Sequence, residues 1–138
     1  MPALSFAFTK IVVTDLGAAE AFYTRTLGLS RVALIEFGEG PSALREAVLS
    51  VPGGSPDRAQ LNLICYPNRP VAAPTPKETV IGFMVDDVAA TAATMTQAGA
   101  QITVPVTDLP DHGVKLAYLE GPEAQTIELL QPLQRPGA

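Results

Sequence analysis

The chain has little cysteine, little charge and no long hydrophobic run. Cys65 is the only cysteine among 138 residues, so an intrachain disulfide is excluded, which fits a reducing cytoplasm. No apolar run approaches the roughly 20 residues needed to span a bilayer. Residues 1–8 carry no basic segment or cleavage signal of an export sequence. These absences predict a cytoplasmic protein that does not cross a membrane.

Basic charge is also scarce. Nine Lys and Arg stand against fourteen Asp and Glu, the formal net charge is −5, and no basic run occurs. Nucleic acids and anionic membranes are therefore poor candidate partners. Apolar residues are abundant, at 47% of the chain against 17% charged residues, which is enough for the core of one domain over residues 1–138.

The chain contains an internal repeat, which decides its architecture. Two largely apolar, strand-like runs, residues 8–16 and 80–88, each contain an aspartate suited to cap a helix, Asp15 or Asp87. Apolar side chains at three-to-four spacing then predict two helices packed on sheets, each followed by a glycine. The helices are predicted at Gly17–Thr26 and Val88–Ala98, before Gly28 and Gly99.

Each half of the chain continues with three more strand signals. Pro56–Ile64 parallels Pro122–Leu130, since each is a proline turn that leads into an alternating strand. The remaining predicted strands are Leu29–Phe37, Ala43–Val51, Gln101–Val106 and Val114–Leu119. The order is βαβββ twice, an α+β fold. Module 1 covers about residues 5–66, a proline-rich, extended linker covers 67–77, and module 2 covers about 78–132.

Three segments of the repeat carry a family likeness. Residues 13–29 hold an aspartate–leucine helix start followed by Phe-Tyr and Leu-Gly, and residues 83–100 hold a second such start. Residues 121–130 hold a proline turn and an Ile-Glu-Leu strand. Together they resemble the vicinal oxygen chelate superfamily, which includes glyoxalases, bleomycin-resistance proteins and extradiol dioxygenases. The resemblance covers about residues 6–133 and implies an open, U-shaped mixed β barrel with flanking helices and the ligand inside.

The resemblance also implies four positions for metal ligands, on the first and last strand of each module. Metal-dependent members hold a divalent ion there that polarises vicinal oxygens or binds dioxygen. In this chain the four positions fall at Phe8, Asn62, Val80 and Glu128. Only Glu128 keeps a strong ligand and Asn62 an amide oxygen, whereas catalytic sites typically need about three protein ligands. We therefore expect no metal and no other cofactor.

Strand alternation predicts the lining of the ligand cavity. Apolar side chains with a few convergent polar groups are the usual make-up of a small-molecule pocket. The predicted ligand-binding residues are Phe8, Lys10, Asn62, Tyr66, Val80 and Met84. Glu128 and His112 are candidate acid–base residues, although a loop histidine such as the one in the stretch 109–113 is more often solvated. Without a metal ion, Glu128 is expected to pair with Lys10.

Several of these polar residues could also have a purely structural role. Lys10 and Glu128 could form only an ion pair inside the barrel, and Asn62 could bond only backbone. Cys65 is expected on the face opposite Asn62, packed under the first helix as a small hydrophobe. Arg45 could hold a carboxylate in bidentate fashion or lie at the surface.

Three functions fit these observations. The leading hypothesis is a metal-independent homodimer that binds a small, partly aromatic or apolar organic molecule. The second is a lyase, isomerase or ring-cleaving dioxygenase of the same superfamily, with Glu128, Lys10 or His112 as general acid or base. The third is a scaffold domain whose pocket is closed by Phe8 and Met84. The dimer is implied by the resemblance and by open sheet edges that a second subunit would cover.

Overall fold

The computed structural model describes residues 3–53, 59–70, 75 and 79–133. The chain forms two compact units, residues 1–74 and 75–138, each of which contains one predicted module. The boundary falls within the predicted linker 67–77, most of which lies outside the described residues. The predicted turn at Pro56 and the tail after Leu133 also lie outside them.

The first unit has the predicted βαβββ order. Its elements are β1 (Phe8–Val12), α1 (Leu16–Leu27), β2 (Ser30–Phe37), β3 (Leu44–Ser50) and β4 (Gln60–Cys65). The sheet order is β1-β4-β3-β2, with β1 parallel to β4 and the other pairs antiparallel. A parallel pair cannot be joined by a tight turn, so the helix and the β2–β3 hairpin occupy the connection.

The second unit repeats this arrangement. Its elements are β5 (Val80–Met84), α2 (Val88–Gln97), β6 (Gln101–Leu109), β7 (Val114–Glu120) and β8 (Thr126–Pro132). The sheet order is β5-β8-β7-β6, again with a parallel pair of first and last strands. The predicted α+β fold of two βαβββ modules is confirmed. Strand β6 continues to Leu109, beyond the predicted end at Val106, because it stays paired with β7 up to Val114.

Both helices begin and end where the sequence indicates. The Asp15 carboxylate accepts a hydrogen bond from the backbone N–H of Ala18 at 3.0 Å. Asp87 accepts one from Ala90, also at 3.0 Å, so both predicted N-caps are confirmed. Helix α1 ends at Gly28, whose φ of 68° lies in the left-handed region that favours glycine.

The register of the parallel pairs confirms the repeat. Lys10 lies opposite Asn62 in the first sheet, and Gly82 lies opposite Glu128 in the second. Asn62 also pairs with the fifth residue of β3, and Glu128 pairs with the fifth residue of β7. The two positions are therefore equivalent in the two modules, as the internal repeat requires.

Each helix covers one face of its own sheet. Helix α1 packs on β3 and β4, and α2 packs on β6, β7 and β8. Fully buried side chains of the two cores are Tyr23, Leu49 and Leu63 in the first unit, and Met95, Leu119 and Leu129 in the second. No helix within the described ranges has the length and apolar character required to cross a membrane.

Leu63 and Leu129 occupy equivalent core positions and are both 0% exposed. Replacing either with alanine should lower the free energy of unfolding by about 2–5 kcal/mol, because each substitution removes buried methyl groups and leaves a cavity. Chemical denaturation measures this change. Leu4→Ala is the control, since Leu4 is 100% exposed and its substitution should cost less than about 0.5 kcal/mol. An equally small cost at Leu63 or Leu129 would contradict its place in the core.

Candidate functional site

The face of the first sheet opposite α1 carries a concave pocket, which we call the helix-free pocket. Its volume is about 430 Å³. Alternation brings every second residue of each strand to this face. The apolar lining residues are Phe8, Ile35, Phe37, Leu44 and Val48, and the polar ones are Lys10, Glu46, Gln60 and Asn62. Three of the predicted ligand-binding residues, Phe8, Lys10 and Asn62, therefore lie together in one pocket.

A buried carboxylate organises the polar side of the helix-free pocket. Glu46 is only 3% exposed and lies on β3, which β4 separates from β1 in the sheet. Its Oε1 atom accepts a hydrogen bond from the Lys10 ammonium at 2.9 Å. Its Oε2 atom accepts one from the Asn62 amide nitrogen at 3.0 Å. A carboxylate removed from water needs such donors, so the three side chains hold one another in place.

One oxygen in this cluster has no hydrogen-bond partner among the residues that the structure describes. Asn62 is 4% exposed, and its Oδ1 atom has no hydrogen-bond partner within the described part of the chain. The orientation of the amide follows from Glu46, because an ionised carboxylate only accepts hydrogen bonds and must face the NH₂ group. Asn62 therefore lines the pocket and carries a buried acceptor atom.

The ring of Phe8 adds an aromatic surface beside the cation. Phe8 is 47% exposed, and the Lys10 ammonium lies 5.1 Å from the centre of its ring. This distance is within the range of a cation–π contact. Phe8 therefore provides both apolar contact area and a partner for the Lys10 charge.

Sequence reasoning missed Glu46. The signal was present, since Glu46 alternates with Leu44 and Val48 on a strand and so shares their face. A charged residue between two such apolar neighbours indicates a buried polar site. The prediction that Lys10 pairs with Glu128 is corrected, because the structure gives Lys10 the carboxylate of Glu46.

In the second module, Glu128 is paired with Tyr118. The two residues lie opposite each other on β8 and β7. Hydrogen bonding of the Tyr118 hydroxyl to the Glu128 carboxylate, together with burial and the negative charge of Glu128, raises the pKa of Tyr118 above its ordinary value of 10.0. Sequence reasoning missed Tyr118, although its place on a strand next to the terminal strand made the contact possible.

The other predicted site residues lie at separate places. Val80 and Met84 are 53% and 64% exposed on β5. His112 is exposed, in the 3-10 turn that follows β6. Tyr66 follows the end of β4, so the alternation that assigned it to the face of Asn62 does not extend to it. The roles of these four residues stay predictions.

Cys65 and Arg45 lie on the other side of the first sheet. Both line a cavity next to the start of α1, and Tyr66 lines it too. Cys65 is half-buried and not paired with another cysteine. The expected place of Cys65 on the face opposite Asn62, on the helix side, is confirmed by this lining.

Comparison with known proteins agrees with the fold of two βαβββ modules. The profile of the glyoxalase/bleomycin resistance protein/dioxygenase superfamily matches residues 5–129. The chain belongs to this superfamily. A search of curated proteins finds no match.

Solved structures of this superfamily share the fold. A glyoxalase family protein from Bacillus cereus is similar with a TM-score of 0.81 and 20% identity, over 97% of each chain. A trypanothione-dependent glyoxalase I from Leishmania major is similar with a TM-score of 0.74 and 25% identity, over 94% of this chain and 87% of that one. Glyoxalase I from Zea mays has a TM-score of 0.70 and 20% identity, and the match covers 96% of this chain but 46% of the maize chain.

The divalent metal that the superfamily implies does not fit the residues of this chain. Phe8 and Val80 offer hydrocarbon at two of the four positions. The amide nitrogen of Asn62 is bound to Glu46, and the positive charge of Lys10 is held on that same carboxylate. In the residues that the structure describes, no group of three or more His, Cys, Asp or Glu is placed to hold a metal ion.

The hydrogen bond between Tyr118 and Glu128 predicts a pH effect. Because the pKa of Tyr118 is raised in the folded protein, its stabilising contribution is present below pH 10 and is lost as pH rises through the folded-state pKa. Glu128→Gln should lower that pKa towards the ordinary value, since it removes the charged acceptor. Ultraviolet titration of tyrosinate measures this shift.

Tyr118→Phe identifies the relevant titration among the three tyrosines of the chain. In this variant one of the three tyrosine titrations should disappear, and it is the one to be followed in Glu128→Gln. If Glu128→Gln leaves all three tyrosine titrations in place, the hydrogen bond is not the cause of the shift.

Proposed function

We propose that this protein binds a small, uncharged organic molecule in the helix-free pocket, without a metal ion. The ligand has an apolar or aromatic body and one hydroxyl or amine that donates a hydrogen bond. The observation that carries this proposal concerns Asn62, which lines the pocket and whose buried Oδ1 atom has no hydrogen-bond partner among the residues that the structure describes. A ligand donor that reaches this atom removes the cost of a buried acceptor, which is about 1–3 kcal/mol.

The size and lining of the helix-free pocket support an apolar ligand body. Its volume of about 430 Å³ falls within the range of small-molecule sites. Phe8, Ile35 and Phe37 are 47%, 42% and 73% exposed, so they present hydrocarbon to whatever enters. Burying such surface favours binding by roughly 25 cal/mol per Å².

The charges of the pocket support an uncharged ligand. The ammonium of Lys10 and the carboxylate of Glu46 lie 2.9 Å apart and neutralise each other. Glu46 is also bound by Asn62, so neither charge is left to attract an ion of opposite sign. A charged ligand would have to shed its water without gaining a counter-ion.

Phenol and anisole form a matched pair of probes for this site. Both rings fit against Phe8, but only phenol has a hydroxyl that can donate to Oδ1 of Asn62. We expect phenol to bind about tenfold more tightly than anisole, because it satisfies the buried acceptor. Nuclear magnetic resonance titration measures both affinities, and phenol should shift the side-chain amide signals of Asn62.

Asn62→Leu tests the same point from the protein side. This variant should bind both probes with similar affinity, because the acceptor is gone and the apolar lining remains. Leu4→Ala, at a fully exposed position, should keep the preference for phenol. Equal affinities of the unmodified protein for phenol and anisole would contradict the proposal.

Metal independence gives a second expected outcome. The protein should purify without stoichiometric metal, and ethylenediaminetetraacetate should leave phenol binding unchanged, because Phe8 and Val80 supply no ligand atoms. Elemental analysis measures the metal content. A content of about one zinc, iron, nickel or manganese per chain, lost in Glu128→Gln, would contradict this expectation. It would show that the protein binds a metal ion although Phe8 and Val80 supply no ligand atoms.

We also propose that the protein forms a homodimer. The edge strands β2 and β6 are equivalent in the two modules and expose apolar side chains. These are Val32, Leu34, Ile35 and Phe37 on β2, and Ile102, Val104 and Val106 on β6. Exposed apolar edge strands favour association, and a second copy offers the same surfaces in return.

Light scattering tests the oligomeric state. A 14.4 kDa chain should give twice that mass at high micromolar concentration. Val104→Lys places a charge on the exposed apolar surface of β6 and should shift the equilibrium towards the monomer. Ala90→Lys, on the exposed side of α2, is the control and should leave the dimer intact. A monomeric mass for the unmodified protein would contradict the proposal.

A further inference from the structure

A second cavity lies on the helix side of the first sheet, where β1 and β4 end and α1 begins. We call it the helix-side cavity. Its volume is about 680 Å³, and among the residues that the structure describes it shares none of its lining with the helix-free pocket. Its apolar lining includes Val13 and Leu16, which are 4% and 8% exposed. Its polar lining includes Asp15, Arg45, Cys65, Tyr66 and Arg69.

Arg69 is fixed at the wall of the helix-side cavity. Its guanidinium carbon lies 3.7 Å from the centre of the Tyr66 ring. Its Nε atom donates a hydrogen bond to the carbonyl oxygen of Pro41 at 2.9 Å. Its backbone N–H donates to the carbonyl oxygen of Tyr66 at 3.1 Å. The side-chain amide of Asn68 donates a hydrogen bond to the carbonyl oxygen of Gly40 at 3.0 Å. The side chains of Asn68 and Arg69 therefore connect the segment after β4 to the turn after β2.

The terminal nitrogens of Arg69 are left for a ligand. The Nε atom makes the one hydrogen bond found for this guanidinium among residues 3–53, 59–70, 75 and 79–133. Both Nη atoms therefore keep their donors. A guanidinium that is already positioned loses little freedom when it binds, and its fork geometry matches a carboxylate.

Arg45 adds a second positive charge to the same cavity. It lies opposite Cys65 in the β3–β4 pair. Its ion pair with Glu36 has a length of 3.1 Å, and the two side chains are 48% and 66% exposed. Such exposed pairs contribute little free energy, so Arg45 can exchange Glu36 for the carboxylate of a ligand that enters the cavity.

Arginines outnumber carboxylates among the described residues that line the cavity. Asp15 is the one carboxylate among its described lining residues, and its Oδ1 atom caps α1 by accepting from Ala18 at 3.0 Å. The described lining holds two arginines and one aspartate, and the ion pair of Arg45 with Glu36 is exposed and weak, so Arg69 supplies an excess of positive charge in a chain whose formal net charge is −5. A local charge of sign opposite to that of the whole chain is a feature of binding clefts that attract an anion.

We propose that the helix-side cavity is a second binding site, which takes a small organic carboxylate. The carboxylate is held by Arg69 and Arg45, and the apolar part of the ligand lies against Val13 and Leu16. The volume fits a ligand of this class, since small-molecule sites span about 300–1,000 Å³. This site lies on the opposite face of the sheet from Asn62, so it is independent of the function proposed above.

Cys65 provides a reporter inside the cavity. It is the only cysteine of the chain, and it lines this cavity and not the helix-free pocket. The uncharged reagent 4,4′-dithiodipyridine modifies the Cys65 thiol, and the rate is read from the released thiopyridone. A ligand that fills the cavity slows this reaction, whereas a ligand on the other face leaves it unchanged.

Benzoate and benzamide are the matched probes, since they differ mainly in charge. Benzoate should slow the modification of Cys65 at least about fivefold at saturation, and benzamide at the same concentration should have little effect. Phenol should not protect Cys65, because it binds to the other face. If benzoate leaves the rate unchanged, or if benzamide protects equally well, the cavity does not select a carboxylate and the proposal is overturned.

Arg69→Gln removes the fixed guanidinium, and Arg25→Gln removes an arginine of α1 that does not line the cavity. The benzoate concentration for half-protection should rise about tenfold in Arg69→Gln and stay unchanged in Arg25→Gln. Equal values in both variants would overturn the role of Arg69. The comparison of benzoate with benzamide in the unmodified protein still decides the proposal if Arg69→Gln does not fold.

Discussion

The parallel pairing of the first and last strands of each module sets the rest of the structure. Two parallel strands need a long connection, so a helix and a hairpin lie between β1 and β4, and again between β5 and β8. The same pairing fixes which side chains meet, because Lys10 must lie opposite Asn62 and Gly82 opposite Glu128. The chemistry of this superfamily member is therefore decided by what the sequence places at a few register positions.

In the first module those positions serve a buried carboxylate. Glu46 is 3% exposed and would be costly without donors, and Lys10 and Asn62 supply them from the two parallel strands. The amide of Asn62 must then turn its nitrogen to Glu46, which leaves its oxygen without a partner in the part of the chain that the structure describes. The acceptor that defines the proposed ligand is thus a consequence of holding Glu46.

The sequence predicted the fold well because its signals are local and occur twice. Capping aspartates such as Asp15, glycines such as Gly28 and alternating strands depend on neighbours in the chain, and they appear where expected apart from the longer β6. The site was predicted in part. Alternation brought Lys10 and Asn62 together, but the partner of each polar group depends on pairing between distant strands, which spacing does not give. Glu46 was missed for that reason.

The helix-free pocket and the helix-side cavity differ in how their charges are satisfied. In the helix-free pocket Lys10 and Glu46 neutralise each other at 2.9 Å. A charged ligand would therefore lose its hydration there without gaining a counter-ion. In the helix-side cavity Arg69 is held by a ring and a carbonyl oxygen, neither of which neutralises its charge. One sheet can therefore present an uncharged site on one face and an anion site on the other. The difference lies between Lys10 and Arg69, since the partner of Lys10 is itself an ion and the partners of Arg69 are not.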